Sequence, residues 1–148
     1  MDEQRIISAS ATVDAPAETI FELIADPARQ PEWDGNNNLS TADSSPRVTA
    51  AGDVFNMVLT NGKVRHNHVV EFAQNEVIAW KPADVDQPPA GHLWRWELER
   101  LDEARTTVTH TYDWTQLEDE QRLQRARRTT PQMLAASVER LRQLAEDA

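Results

Sequence analysis

Four histidines, one tyrosine and five tryptophans hold most of the chemical reach of this 148-residue chain. His66, His68, His92 and His110 all fall in runs that alternate apolar and polar residues. Strand alternation assigns all four to the same side as Phe55, Met57, Trp94, Trp96 and Tyr112. An imidazole titrates near neutrality and can move a proton, so the catalysis these residue types could support is general acid/base action by a histidine or Tyr112 on a carbonyl compound. His66-Asn67-His68 also has the i, i+2 spacing with which some zinc sites present two imidazoles. A third ligand is missing nearby, and no metal is expected. The chain has no cysteine, which removes thiolate nucleophiles, disulfides and cysteine-based metal sites. No Asp or Glu falls on the inward side of the central strands, so a carboxylate dyad is unsupported. Ser137, on the last helix, lacks an acid to orient a Ser/His pair. No catalytic residue is therefore assigned. A solid apolar core does not hold four imidazoles, because each buried polar group needs a partner, whereas a cavity with water or a polar ligand accommodates them. The plainer alternative is four hydrogen-bonded wall residues without chemistry.

The elements that must position these side chains follow from the hydrophobic pattern. Residues 5–13 alternate, with Ile7, Ala9, Ala11 and Val13 on one side, which predicts a half-buried strand. Asp14-Ala15-Pro16 opens a helix with proline in its first turn, and Ala17, Ile20, Phe21 and Ile24 give it one apolar stripe. Asp26-Pro27 ends that helix; a short turn or helix to Trp33 and a polar loop follow. Asn61-Gly62 between two β-rich runs predicts a two-residue type I′ hairpin that pairs Thr60 with Lys63, Leu59 with Val64, Met57 with His66 and Phe55 with His68. Residues 92–101 and 106–115 predict a second hairpin around Asp102-Glu103-Ala104, with Leu98 opposite Val108, Trp96 opposite His110 and Trp94 opposite Tyr112. Residues 77–80 form a strand between the hairpins, with Ile78 and Trp80 inward. From Leu117 onward the chain is helical. Glu118-Asp119-Glu120 suits a helix start, Thr130-Pro131 is a kink or a fresh cap, and Leu134, Val138, Leu141 and Ala145 form the last apolar stripe.

Composition narrows the partners. The chain is 39% hydrophobic and 27% charged, an ordinary globular balance for one domain spanning 1–148. Its 25 acidic and 15 basic residues give a net charge of −10, which opposes polyphosphate partners, so no nucleic acid is expected. No apolar run approaches the roughly 18 residues of a membrane span, so no membrane insertion is expected. The acidic start Met1-Asp2-Glu3-Gln4 does not resemble a signal peptide, which predicts a cytoplasmic location. Arg122, Arg125, Arg127 and Arg128 are the one basic concentration. They read as a solvated face balancing Glu118, Asp119 and Glu120, or more sharply as an anion-attracting rim at a cavity mouth.

The order of elements, together with the segments SATVDAPAETIFELIADPARQPEW (10–33), VVEFAQNEVIAW (69–80), GHLWRWELERLDEARTTVTHTYDW (91–114) and the terminal SVERL, resembles the START/polyketide-cyclase (SRPBCC) superfamily. Within it the chain is most similar to bacterial polyketide cyclase/dehydrase-like proteins. The resemblance implies an α+β helix-grip fold: a curved antiparallel sheet of about seven strands wrapped around a long C-terminal helix, one or two short helices after the first strand, and a ligand cavity between sheet and helix. The superfamily has no shared catalytic signature, so the resemblance transfers the cavity and no active-site residue. The expected lining is Phe55, Met57, His66, His68, Trp80, Trp94, Trp96, His110, Tyr112, Leu134 and Val138. The expected function is binding of an apolar or aromatic small molecule, lipid- or polyketide-like, without a cofactor. The alternative is a cyclase/dehydrase-type enzyme using the inward histidines as general acid or base. An interaction module with a collapsed cavity, its aromatics serving only as core, is the third reading.

Overall fold

Alternation from Ile6 to Val13 produces strand β1, with Ile7 and Val13 buried, Ala9 and Ala11 half-buried, and Ser8, Ser10 and Thr12 exposed. The computed structural model describes residues 3–42 and 45–148; Met1 and Asp2 of the acidic N-terminus lie outside the described residues, as do Asp43 and Ser44. Helix α1 (Ala17–Ala25) follows Pro16 and buries Ile20, Phe21 and Ile24 completely. It ends at Asp26, whose side chain accepts from the Ala28 N–H (3.1 Å) and starts a 3-10 turn, Pro27–Arg29, leading into α2 (Gln30–Trp33). Next come β2 (Leu39–Thr41), β3 (Val54–Leu59), β4 (Val64–Ala73), β5 (Val77–Asp84), β6 (Leu93–Asp102), β7 (Arg105–Asp113), α3 (Glu120–Arg127) and α4 (Pro131–Glu146). The three-residue edge strand β2 is the element the pattern does not predict.

The seven strands form one open antiparallel sheet in the order β1-β7-β6-β5-β4-β3-β2. Helix α4 packs on β1 and β7 and against α1 and α2, the α+β helix-grip arrangement. Thr130-Pro131 is a fresh cap: the Thr130 hydroxyl accepts from the Met133 N–H (3.3 Å), and proline occupies the first turn. The core forms where Val138 and Leu141 of α4 meet the α1 stripe and Ile78 and Trp96 of the sheet. Among the described residues no helix is long and apolar enough to cross a membrane.

The β6–β7 hairpin has the register its alternation predicts, with Leu98 opposite Val108, Trp96 opposite His110 and Trp94 opposite Tyr112. The β3–β4 hairpin does not. A type I′ turn needs positive φ at both central residues, and only Gly62 has it (φ 88°). The Gly62 N–H donates to the Leu59 carbonyl (2.9 Å) and the Leu59 N–H to the Lys63 carbonyl (2.7 Å), so Thr60-Asn61-Gly62 is a three-residue loop closed by glycine. Thr60 is drawn out of the ladder by the preceding polar loop: its N–H donates to the Asn38 carbonyl (2.9 Å) and its hydroxyl to the Asn37 carbonyl (3.0 Å). The pairs are therefore Met57 with Arg65 and Phe55 with Asn67, while His66 faces Asn56 and His68 faces Val54. A slip of one residue turns a whole strand over. Arg65, Asn67 and Val69 point inward, and His66 and His68 stand on the outer face, contrary to the expected pairing. A bulge between Val69 and Glu71 then returns Phe72 to the inner face opposite Ile78.

Candidate ligand cavity

Between the sheet and α4 lies a cavity of about 450 Å³. One wall belongs to the β6–β7 hairpin, where direct and diagonal cross-strand neighbours place rings face to face. Tyr112 stacks on Trp94 (centroids 4.2 Å apart), Trp94 lies near-parallel to His110 (5.5 Å), and His110 stacks on Trp96 (3.8 Å). Trp33 closes the stack edge-on against Trp96 (5.0 Å), and its indole N–H is spent on the Leu23 carbonyl (2.7 Å). Trp80 and Met57 continue the lining across β5 and β3, with Phe55 packed edge-on behind Trp80 (5.2 Å).

The opposite side comes from α4 and the loop after α2. Met133, Leu134 and Ser137 face the space. The loop is fastened to α4 at Gly35, whose N–H donates to the Ser137 hydroxyl (3.0 Å). A Cβ at Gly35 would lie 2.5 Å from the Ala136 carbonyl carbon, so only glycine permits this approach. Asn36 adds a side-chain bond to the Met133 carbonyl (2.9 Å). Asp34 organises the same loop from within: its carboxylate accepts the N–H groups of Asn36, Asn38 and Leu39, and its carbonyl accepts from Arg140 (2.8 Å).

The third side is cationic. Arg65 enters the lining from β4 and pairs with Asp84 (2.8 Å); Asp84 also pairs with Arg122 of α3. Arg125 and Arg128 line the mouth, and a second small pocket of about 50 Å³ opens among Arg65, His92, Tyr112, Arg122 and Arg125.

Burial sets the protonation states of the lining. His110 donates from Nδ1–H to the Arg95 carbonyl (3.1 Å), which leaves Nε2 with the lone pair, and burial pushes its pKa down to about 3. His92 falls to about 4, first through burial and then through the positive charges of Arg122, Arg65 and Arg125. Burial raises Tyr112 to about 12. At neutral pH both imidazoles are uncharged and the phenol keeps its proton. Among the described residues no three His, Cys, Asp or Glu side chains gather to hold a metal ion.

Of the eleven expected lining residues, Met57, Trp80, Trp94, His110, Tyr112 and Leu134 line the cavity. Phe55, Trp96 and Val138 are packed into the core behind it, where the aromatic and α4 stripes are too deep to reach the space. His66 and His68 are on the outer face because of the hairpin slip. The same slip brings in Arg65 and Asn67, which alternation assigns outward. Asp34, Asn36 and Asn38 come from a loop that hydrophobic pattern does not describe; the signal that could have found them is Gly35, a glycine between polar side chains next to a buried tryptophan. His92, read as inward, lines it, as do Ser137 of α4 and Arg125 and Arg128 of the basic cluster.

A family model described as polyketide cyclase / dehydrase and lipid transport matches residues 4–146. The protein Rv0088 of Mycobacterium tuberculosis (strain ATCC 25618 / H37Rv) is 32% identical over 111 residues, which cover 73% of this chain and 47% of that protein. The chain thus spans about half the length of the curated relatives it matches. Among solved structures, protein MLL2253 from Mesorhizobium loti superposes with a TM-score of 0.71 at 19% identity, covering 97% of this chain and 98% of that one. The ZhuI aromatase/cyclase from Streptomyces sp. R1128 superposes with a TM-score of 0.66 at 18% identity, covering 96% and 93%. These structural likenesses establish the shared fold. With the family match running from residue 4 to residue 146, the chain belongs to the polyketide cyclase / dehydrase and lipid transport family.

Proposed function

We propose that the chain binds an apolar or aromatic small molecule, lipid- or polyketide-like, in the cavity between the sheet and α4. The observation that carries this reading is the ring stack beside about 450 Å³ of space, a volume in the usual range for small-molecule sites. Flat rings present wide apolar faces at little entropic cost, which suits a flat guest. The family description couples cyclase chemistry with lipid transport, and the ZhuI neighbour is named as an aromatase/cyclase; both guests would be largely apolar.

A cyclase/dehydrase-type enzyme is the second reading, favoured by the lone pair on His110 Nε2 and the Tyr112 phenol in one lining. General acid/base work is most efficient with a pKa near the working pH. His110 at about 3 and Tyr112 at about 12 are both far from it, which supports binding over turnover. Native mass spectrometry of protein purified from its own cells tests the leading reading. A co-purifying small molecule is the expected result; a protein that carries none and also fails to bind flat apolar probes overturns it. With that molecule in hand, a His110→Gln variant that binds normally but loses turnover by about a hundredfold or more would move the assignment to the enzyme.

A further inference from the structure

The charge around the cavity runs against the charge of the chain. Acidic residues outnumber basic ones 25 to 15 in the sequence, yet Arg65, Arg125 and Arg128 line the cavity and Arg122 borders the small pocket beside it. The nearby carboxylates do not cancel them. Asp34 also lines the cavity and offsets one of the four, its oxygens held by three backbone N–H groups. Asp84 is shared by Arg65 and Arg122, and Asp119 reaches Arg122 (3.3 Å). Among the described residues Arg125 and Arg128 have no carboxylate partner. Arg65 is the least solvated of the group: its side chain is 11% exposed, and Asp84 engages only its Nη1. A guanidinium presents five N–H donors in a planar fork, so most of the donor capacity of Arg65 is unspent.

His92 adds an independent observation at the same corner. Its Nδ1 is buried without a hydrogen-bond partner, and its ring borders both pockets together with Arg65, Arg125 and Tyr112. A buried polar atom without a partner and a half-buried guanidinium with unused donors each cost free energy that an anionic guest would offset.

We infer that the cavity takes its guest by an anionic group: a carboxylate held at the corner of Arg65, Arg125 and His92, with an aromatic or apolar body laid along Trp94 and Tyr112. This rests on the small-molecule reading above and names its class, an aromatic carboxylic acid. Charge selects the carboxylate. Arg65, Arg122, Arg125 and Arg128 stand against Asp34, Asp84 and Asp119, a surplus of one positive charge, which a monoanion closes and a phosphate dianion exceeds. Geometry agrees, because the guanidinium fork matches the two oxygens of a carboxylate.

The test compares 2-naphthoic acid with its uncharged isostere 2-naphthamide by isothermal titration calorimetry at pH 7. The acid is expected to bind about tenfold or more tightly, the scale of hydrogen bonds to a charged group. Arg65→Gln is expected to remove the preference by weakening the acid more than the amide, and Asp84→Asn to increase that preference. Arg125→Gln, on the exposed side of α3, should reduce the preference about threefold, and it carries the test if Arg65→Gln does not fold. Equal affinity for acid and amide, or a preference indifferent to Arg125→Gln, overturns the anion site and leaves the apolar cavity standing. Binding of neither probe overturns both the anion site and the small-molecule reading beneath it.

Discussion

The two sides of the cavity are held by different forces. On the β6–β7 side, four rings from Tyr112 to Trp96 stack in series, and the wall continues into the core without a break. On the other side, the loop after α2 and strand β4 present Asp34, Asn36, Asn38 and Arg65, joined by directional bonds and an ion pair, with Arg125 and Arg128 from α3 and its C-cap beside them. The first side gains its rigidity from burial, which is nearly indifferent to small rotations; the second depends on individual donors finding individual acceptors. Stability is therefore concentrated on one side and chemical choice on the other.

The strongest way to break that contrast is Trp96→Ala. The side chain is fully buried between His110 and Trp33, and its loss should cost about 3–5 kcal/mol, read from urea unfolding. If instead the variant remained stable and lost only ligand affinity, the boundary between core and lining would be misplaced. Gly35→Ala probes the other side: its Cβ meets the Ala136 backbone, and a loss of about 1–3 kcal/mol is expected in the same assay as the loop is pushed from α4.

Protonation separates the two sides further. The folded pKa of His110, about 3, lies below the ordinary 6.5, so the unfolded chain takes up the proton first. The stability His110 gives as a neutral group is complete above pH 6.5 and is lost as the pH falls toward 3, with a slope approaching about 1.4 kcal/mol per pH unit. Unfolding free energies measured from pH 7.5 to pH 5, above most carboxylate titration, should show that slope together with a similar one from His92, whose pKa falls to about 4. His110→Gln should remove the His110 share while leaving that of His92. A slope unchanged in the variant would place the titrating group elsewhere.

Smaller effects are expected where only the guest is touched. Trp94→Ala should weaken binding of a flat aromatic probe by about tenfold with a lesser cost in stability, since the ring lines the cavity and is only half-buried. His66→Gln and His68→Gln should change neither affinity nor, beyond about 0.5 kcal/mol, stability. A clear loss of binding in either would revive the two-residue turn that the β3–β4 register rejects.

The same contrast explains what could be read in the sequence. The aromatic wall was legible because Trp94, Trp96, His110 and Tyr112 alternate in two strands joined by a short polar turn, and one register satisfies all four. Helices α1 and α4 were legible from their stripes, while Thr130-Pro131 served equally for a kink or a fresh cap, a choice that the Met133 N–H decides. The polar side was not, because its position hangs on one turn. Asn-Gly serves both a two-residue loop and a three-residue loop closed by glycine, and the choice falls to hydrogen bonds that Thr60 makes to Asn37 and Asn38, more than twenty residues earlier. That choice moves Arg65 into the cavity and His66 out of it. A pattern confined to the hairpin has no access to the decision.

The contact at Gly35 has a further consequence for how such a cavity changes over time. One jaw of the opening is set by main chain resting on main chain, at a spot where no side chain fits. The aperture is thus inherited with the scaffold, while residues such as Met57, Leu59, Thr129 and Met133 can be exchanged like the lining of a mould. A library that varies those four positions and keeps Gly35 would search guest preference at nearly constant shape; one that varies Gly35 would redraw the shape itself.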